Sequence, residues 1–120
     1  MMIDDELQVM NMAKPAFEFL YDEEIDLLRP VLHVDYERLN AEEQQEFEWG
    51  LQQISAQIPD RIQQFEQDYM NLYEKLKTTE DDESFFRINE EMNEVSKKIS
   101  ELNLLYLHIE GTHLHANVDD

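Results

Sequence analysis

Imidazole and carboxylate groups gather near the C-terminus, where His108, Glu110, His113 and His115 fall within eight residues. These are donor types that zinc, nickel or copper accept. The spacing matches no structural zinc pattern, the chain has no Cys to add a thiolate, and Gly111 interrupts the run. No metal ligand is assigned: His108 reads as a polar position beside an apolar stripe, and His113 and His115 as solvent-exposed. A carboxylate-bridged di-metal bundle would need Glu-x-x-His from two helices plus two further Glu, and only Glu110-Gly111-Thr112-His113 fits, across the glycine. Nucleophilic chemistry finds no Cys and no G-x-S-x-G elbow, and Gly50 and Gly111 are too isolated for a phosphate-cradling loop. The expectation is a protein without cofactor and not an enzyme.

What the sequence has in abundance is carboxylate. Twenty-nine Asp and Glu against nine Lys and Arg leave a formal net charge of -20 over 120 residues. Both halves share it, with 15 acids and 3 bases up to Asp60 and 14 acids and 6 bases after it. Nucleic acid is an unsuitable direct partner, because phosphates are bound through Lys and Arg. An anionic membrane surface is disfavoured on the same sign, whereas a basic protein is attracted. The N-terminus Met1-Met2-Ile3-Asp4-Asp5-Glu6 carries acids where a secretory signal has a basic region. No apolar run reaches membrane-spanning length, and with no Cys a cytoplasmic location is expected.

Two long stripes must position these acids. Phe85, Ile88, Met92, Val95, Ile99, Leu102, Tyr106 and Ile109 alternate by three and four, as one face of a helix does. Ile62, Phe65, Tyr69, Leu72 and Leu76 repeat the pattern upstream, and the polar run from Lys77 to Ser84 separates the two. A helical hairpin folded about Asp82 sets Leu76 against Ile88, Leu72 against Met92, Tyr69 against Val95, Phe65 against Ile99, Ile62 against Leu102 and Ile58 against Tyr106. Every pair is apolar. The same register brings Lys75 near Glu91 and Asp68 near Lys98, the opposite-sign flanks of an antiparallel seam. Such a seam serves pairing within one chain or with a second copy, so a homodimer stays open.

Upstream, Asn40-Ala41-Glu42-Glu43 has the form of a capping box and predicts a helix start. Its apolar positions Phe47, Leu51, Ile54 and Ile58 continue into Ile62 and Phe65, which favours one helix kinked at Pro59 over two separate ones. Pro15 to Leu28 reads as a shorter packed helix, with Phe17, Leu20, Tyr21, Ile25 and Leu28 at helical spacing and Arg29-Pro30 as its end. Residues 31–36 and 112–118 are candidates for short strands, with Gly111 a natural helix stop. The fold class is therefore mostly all-α: a single domain over residues 1–120, in which 1–14 could form a loose arm and 112–120 a loose tail. No motif ties it to a family.

The functional expectation is a non-enzymatic inhibitor or regulator that occupies the basic surface of a nucleic-acid-binding protein by mimicking a phosphate backbone. Asp22, Glu23, Glu24, Asp26, Glu42, Glu43, Glu46 and Glu48, from the more acidic half, are the expected partner-binding residues. The alternative is an assembly or secretion chaperone, or an oligomeric coiled-coil adaptor. It would hold a partner's helix in an apolar groove built from the seam and the Val31 to Tyr36 segment. Trp49, Tyr73 and Phe86 lie off the seam and either pack the N-terminal element or centre a binding patch.

Overall fold

The computed structural model describes the backbone of residues 15–118 and the side chains of residues 15–111. Helix α1, Ala41–Lys77, starts where the capping box predicts: the Glu43 amide donates to Asn40 Oδ1 at 2.8 Å and the Asn40 amide to Glu43 Oε1 at 3.0 Å. It runs unbroken through Pro59, whose ring lies on the exposed side of the helix. Residues 78–81 form the turn, with the Thr78 and Thr79 amides donating to the Lys75 and Leu76 carbonyls. Helix α2, Asp82–Val118, then returns along α1. At its start the Ser84 amide donates to Asp81 Oδ2 at 2.9 Å, which holds the Asp81 carboxyl below the usual carboxylate range.

The antiparallel register lies within one residue of the sequence-derived one. Ser55 Oγ donates to Glu110 Oε1 at 3.4 Å, Lys98 Nζ lies 5.6 Å from the centre of the Phe65 ring, and Ile58 and Tyr106 line a common crevice. The expected flanking pairs Lys75 with Glu91 and Asp68 with Lys98 do not close; in the second, Lys98 covers the Phe65 face instead. Toward the open end of the helical hairpin the buried stripe also rotates. Leu105 is 5% exposed while Tyr106, its neighbour on the predicted stripe, is 38% exposed.

That rotation accompanies the main departure from expectation. Pro15 to Leu28 is not a helix: strands β1, Phe17–Asp22, and β2, Leu27–Leu32, form a two-stranded antiparallel sheet pairing Phe17 with Leu32 through Asp22 with Leu27. Alternation favours this over a helix, since Phe17, Phe19 and Tyr21 share one face with Leu28, Pro30 and Leu32. Pro30 is tolerated because each strand of a two-stranded sheet has an edge that needs no donor. In the turn, Asp26 takes a left-handed conformation with φ of 54°, which Asp accepts more readily than most residues. Its carboxylate receives Tyr21 Oη and pairs with Arg61 Nη1 at 3.1 Å, while the adjacent Ile25 is wholly buried.

Strand β2 claims only Val31 and Leu32 of the 31–36 segment, and a single 3-10 turn follows at Tyr36–Arg38. The 112–118 segment is not a strand either, because α2 continues through Gly111 to Val118. Residues 1–14 lie outside the described residues. The core gathers Ile25, Leu27 and Leu39 against Phe47, Leu51, Ile54 and Ile58 of α1 and Leu102, Leu105 and Ile109 of α2. No helix among the described residues is long and apolar enough to cross a membrane.

Candidate functional site

The β-hairpin does not cover α1 completely, and the gap between them is an apolar groove of about 730 Å³. Phe17, Phe19 and Leu28 form the sheet wall; Trp49, Gly50 and Ile54 form the helix floor, with Gln45, Glu46, Gln53 and Gln57 at the margin. Phe17, Phe19 and Phe47 pack as an aromatic cluster with ring centres 5.2 to 5.9 Å apart, which fixes the sheet wall against the helix. Gly50 permits the approach, because a Cβ there would sit 2.2 Å from Phe19 Cζ. Helix propensity is given up at Gly50 so that a ring can rest on the backbone. Trp49 alongside is 66% exposed, and a large apolar side chain left open beside an apolar trough marks a surface able to take an apolar anchor.

The eight acids expected to bind a partner divide into two groups. Asp22 is bound by Arg29 Nε at 2.6 Å, Asp26 by Tyr21 and Arg61, Glu43 caps α1, and Glu48 accepts from Tyr36 Oη at 2.6 Å. Glu23, Glu24, Glu42 and Glu46 have no side-chain hydrogen bond or ion pair among the described residues, and all four are exposed. Glu46 lies on the groove margin, and Glu42, one turn earlier, continues the same helix face. No Lys or Arg occurs between Arg38 and Arg61, so this part of α1 supplies no base of its own to its negative edge.

These contacts show in the ionisation of Asp22 and of two tyrosines. The Arg29 guanidinium beside Asp22 holds its carboxyl low. Burial and the bond to Glu48 push the Tyr36 hydroxyl up to about 12, and the Asp26 carboxylate raises Tyr21. These groups tie the β-hairpin and the 3-10 turn to the helices, with Arg29 Nη2 also reaching Glu101 of α2 at 3.1 Å. Val34 and Tyr36 of the proposed partner-holding segment pack against the core instead.

The C-terminal histidine cluster is not assembled among the described side chains. His108 is exposed on α2, Glu110 accepts from Ser55, and the His113 and His115 side chains lie outside the described residues. Among the described residues no group of three or more His, Cys, Asp or Glu is placed to hold a metal ion. The sequence offers Trp49 as the centre of a binding patch but not the walls of this groove, although Trp49-Gly50 inside a helix is its trace: an aromatic off the core stripe followed by the one residue that lets another chain segment touch the helix backbone. No protein-family model, curated protein or solved structure matches the chain.

Proposed function

We propose that this chain is a non-enzymatic protein-binding adaptor or chaperone that seats an amphipathic, positively charged segment of a partner protein in the groove between the β-hairpin and α1. One observation carries the reading: an apolar trough with Trp49 open on its floor runs beside Glu42 and Glu46, which pair with no base among the described residues. The partner's apolar side chains enter against Phe19, Leu28 and Trp49, and its Lys or Arg residues face the carboxylates. Apolar burial supplies affinity and the charges supply orientation and encounter rate.

Selection of random peptides displayed on phage tests this, with Trp49→Glu as the counter-selection target. Peptides retained by the native chain and rejected by the variant should pair bulky apolar residues with Lys or Arg. Each should shift the emission of Trp49, the single tryptophan, to shorter wavelength. Enrichment of peptides that bind the variant equally well, or no enrichment, overturns the proposal.

Phosphate-backbone mimicry is the second reading. It is favoured by the 70 × 41 × 16 Å shape, an elongated slab bearing carboxylates along both helices. In that case binding depends on charge alone, falls steeply as salt rises, and is indifferent to Trp49.

A further inference from the structure

A two-stranded sheet has two outer edges, and here they differ. The His33 amide donates to the Ala16 carbonyl at 2.8 Å, and these residues lie opposite each other in the register that pairs Phe17 with Leu32. Directly bonded pairs alternate along an antiparallel ladder. Glu18, Leu20 and Asp22 therefore turn their backbone groups toward β2, and Phe17, Phe19 and Tyr21 turn theirs outward. The outer edge of β2 consists of Leu28, Pro30 and Leu32, and Pro30 removes the donor at its centre. On the outer edge of β1 the amides and carbonyls of Phe17, Phe19 and Tyr21 all remain, without a partner among the described residues. β2 is also the strand in closer backbone contact with α1. This leaves β1 on the outside of the sheet, with Leu20 49% and Tyr21 59% exposed.

Such an edge is a template for another strand, and the side chains beside it select which. From Pro15 to Leu28 the chain has five acids and no Lys or Arg. Glu23 and Glu24, at the end of β1, are exposed, and Glu18 has the His33 imidazole as its partner instead of a Lys or Arg. A second copy would bring the same acids edge to edge and is repelled. On the opposite face Phe17 and Phe19 form the sheet wall of the groove. A strand laid along β1 sets its own side chains on that face about 5 Å from theirs.

We infer that the partner's segment binds as a β-strand added to the outer edge of β1, an extended stretch in which apolar residues alternate with Lys or Arg. The inference rests on the groove reading for the partner's chemistry and adds its conformation. Apolar side chains continue the wall of Phe17 and Phe19, while basic ones lie beside Glu18 and reach the turn at Glu23 and Glu24. The bonds to the backbone of Phe17, Phe19 and Tyr21 are indifferent to sequence. A helix of the same composition would leave those backbone groups unpaired.

The probe is the synthetic heptapeptide acetyl-Lys-Phe-Lys-Val-Lys-Phe-Lys-amide, with the isomer acetyl-Lys-Lys-Phe-Val-Phe-Lys-Lys-amide as a control of equal charge. Amide exchange of isotope-labelled chain, followed by NMR, reads the edge. In the free chain the Phe17, Phe19 and Tyr21 amides should exchange freely. Saturating heptapeptide should slow all three about tenfold or more and leave the Leu28 and Leu32 amides unchanged; the isomer should protect none. N-methylation of one alternating set of peptide residues should weaken binding about tenfold, and of the other set less than about twofold. Edge amides already protected in the free chain, no binding of the heptapeptide, binding that leaves these amides unprotected, or equal sensitivity to both methylated sets overturns the inference. Trp49→Glu separates this from the groove reading. Binding lost in that variant without protected edge amides in the native chain removes the strand and keeps the groove, whereas protected edge amides with affinity unchanged in the variant remove the groove and keep the strand.

Discussion

The two ends of the helical hairpin are built from the same kind of stripe and end up very differently buried. At the open end Ile25, Ile58 and Leu102 are at most 1% exposed, because the β-hairpin lies over the helices and closes a third side. Toward the turn no third element among the described residues arrives. There Leu72, Leu76, Val95 and Ile99 are only half-buried, Phe85 is 41% exposed, and Ile88 and Met92 are the buried residues that remain. A pair of helices can hide one line of side chains from each other but not the flanks of that line. The short sheet therefore sets where the stability lies, and in doing so leaves the groove as its unsealed margin.

The sharpest break of this contrast is truncation at matched chemistry. Leu102→Ala should cost about 4 kcal/mol, within the range for fully enclosed leucines, and Leu76→Ala under about 1.5 kcal/mol because water already reaches it. Equal losses in urea denaturation would show that the two ends are equally sealed. Next in size is Met92→Lys, at about 3 kcal/mol for an ammonium placed in the best-buried part of the arm; an unchanged melting temperature would mean that the seam there is open.

The two helical glycines sharpen the comparison further. Gly50→Ala should lose about 1 kcal/mol net, since displacing Phe19 outweighs the gain in helix propensity, whereas Gly111→Ala should gain up to about 1 kcal/mol. Stabilisation by both would remove the close contact of Phe19 with the helix.

The smallest effect is electrostatic. Asp22 has a depressed carboxyl, so the stabilisation from Arg29 is present at neutral pH and lost as pH falls through the folded-state value. The advantage of the native chain over Asp22→Asn, under about 1 kcal/mol for so exposed a pair, should shrink below about pH 4. A difference that grows on acidification would reverse the sign of the linkage.

Much of the helical part was legible in the sequence because its signals are long. Stripes carried over many turns fix a face, a short polar turn fixes the register to within a residue, and Asn40 with Glu43 marks a start by two reciprocal bonds. The β-hairpin was misread because Phe17, Leu20, Tyr21, Ile25 and Leu28 satisfy a helical spacing while Phe17, Phe19 and Tyr21 satisfy a strand spacing, and six-residue strands are too short for periodicity to arbitrate. Its turn also lacks glycine and asparagine, using Asp26 in the left-handed region instead. Gly111 failed as a stop signal because a glycine inside a helix costs only about 1 kcal/mol, which a 37-residue helix can absorb. As for the site, acid content was plain, but which acids are committed to Arg29, Arg61, Tyr21 and Tyr36 depends on the β-hairpin and the turn after it. Only with these placed do Glu42 and Glu46 separate from Asp22, Asp26 and Glu48.

The most direct test of a groove that holds its partner by apolar burial is capture from a nuclease-treated lysate on immobilised native chain and, in parallel, on Trp49→Glu, each washed with rising salt. A partner that withstands high salt on the native chain and is missing from the variant is the predicted result. A partner that leaves both at the same moderate salt would contradict the groove and favour binding by charge alone.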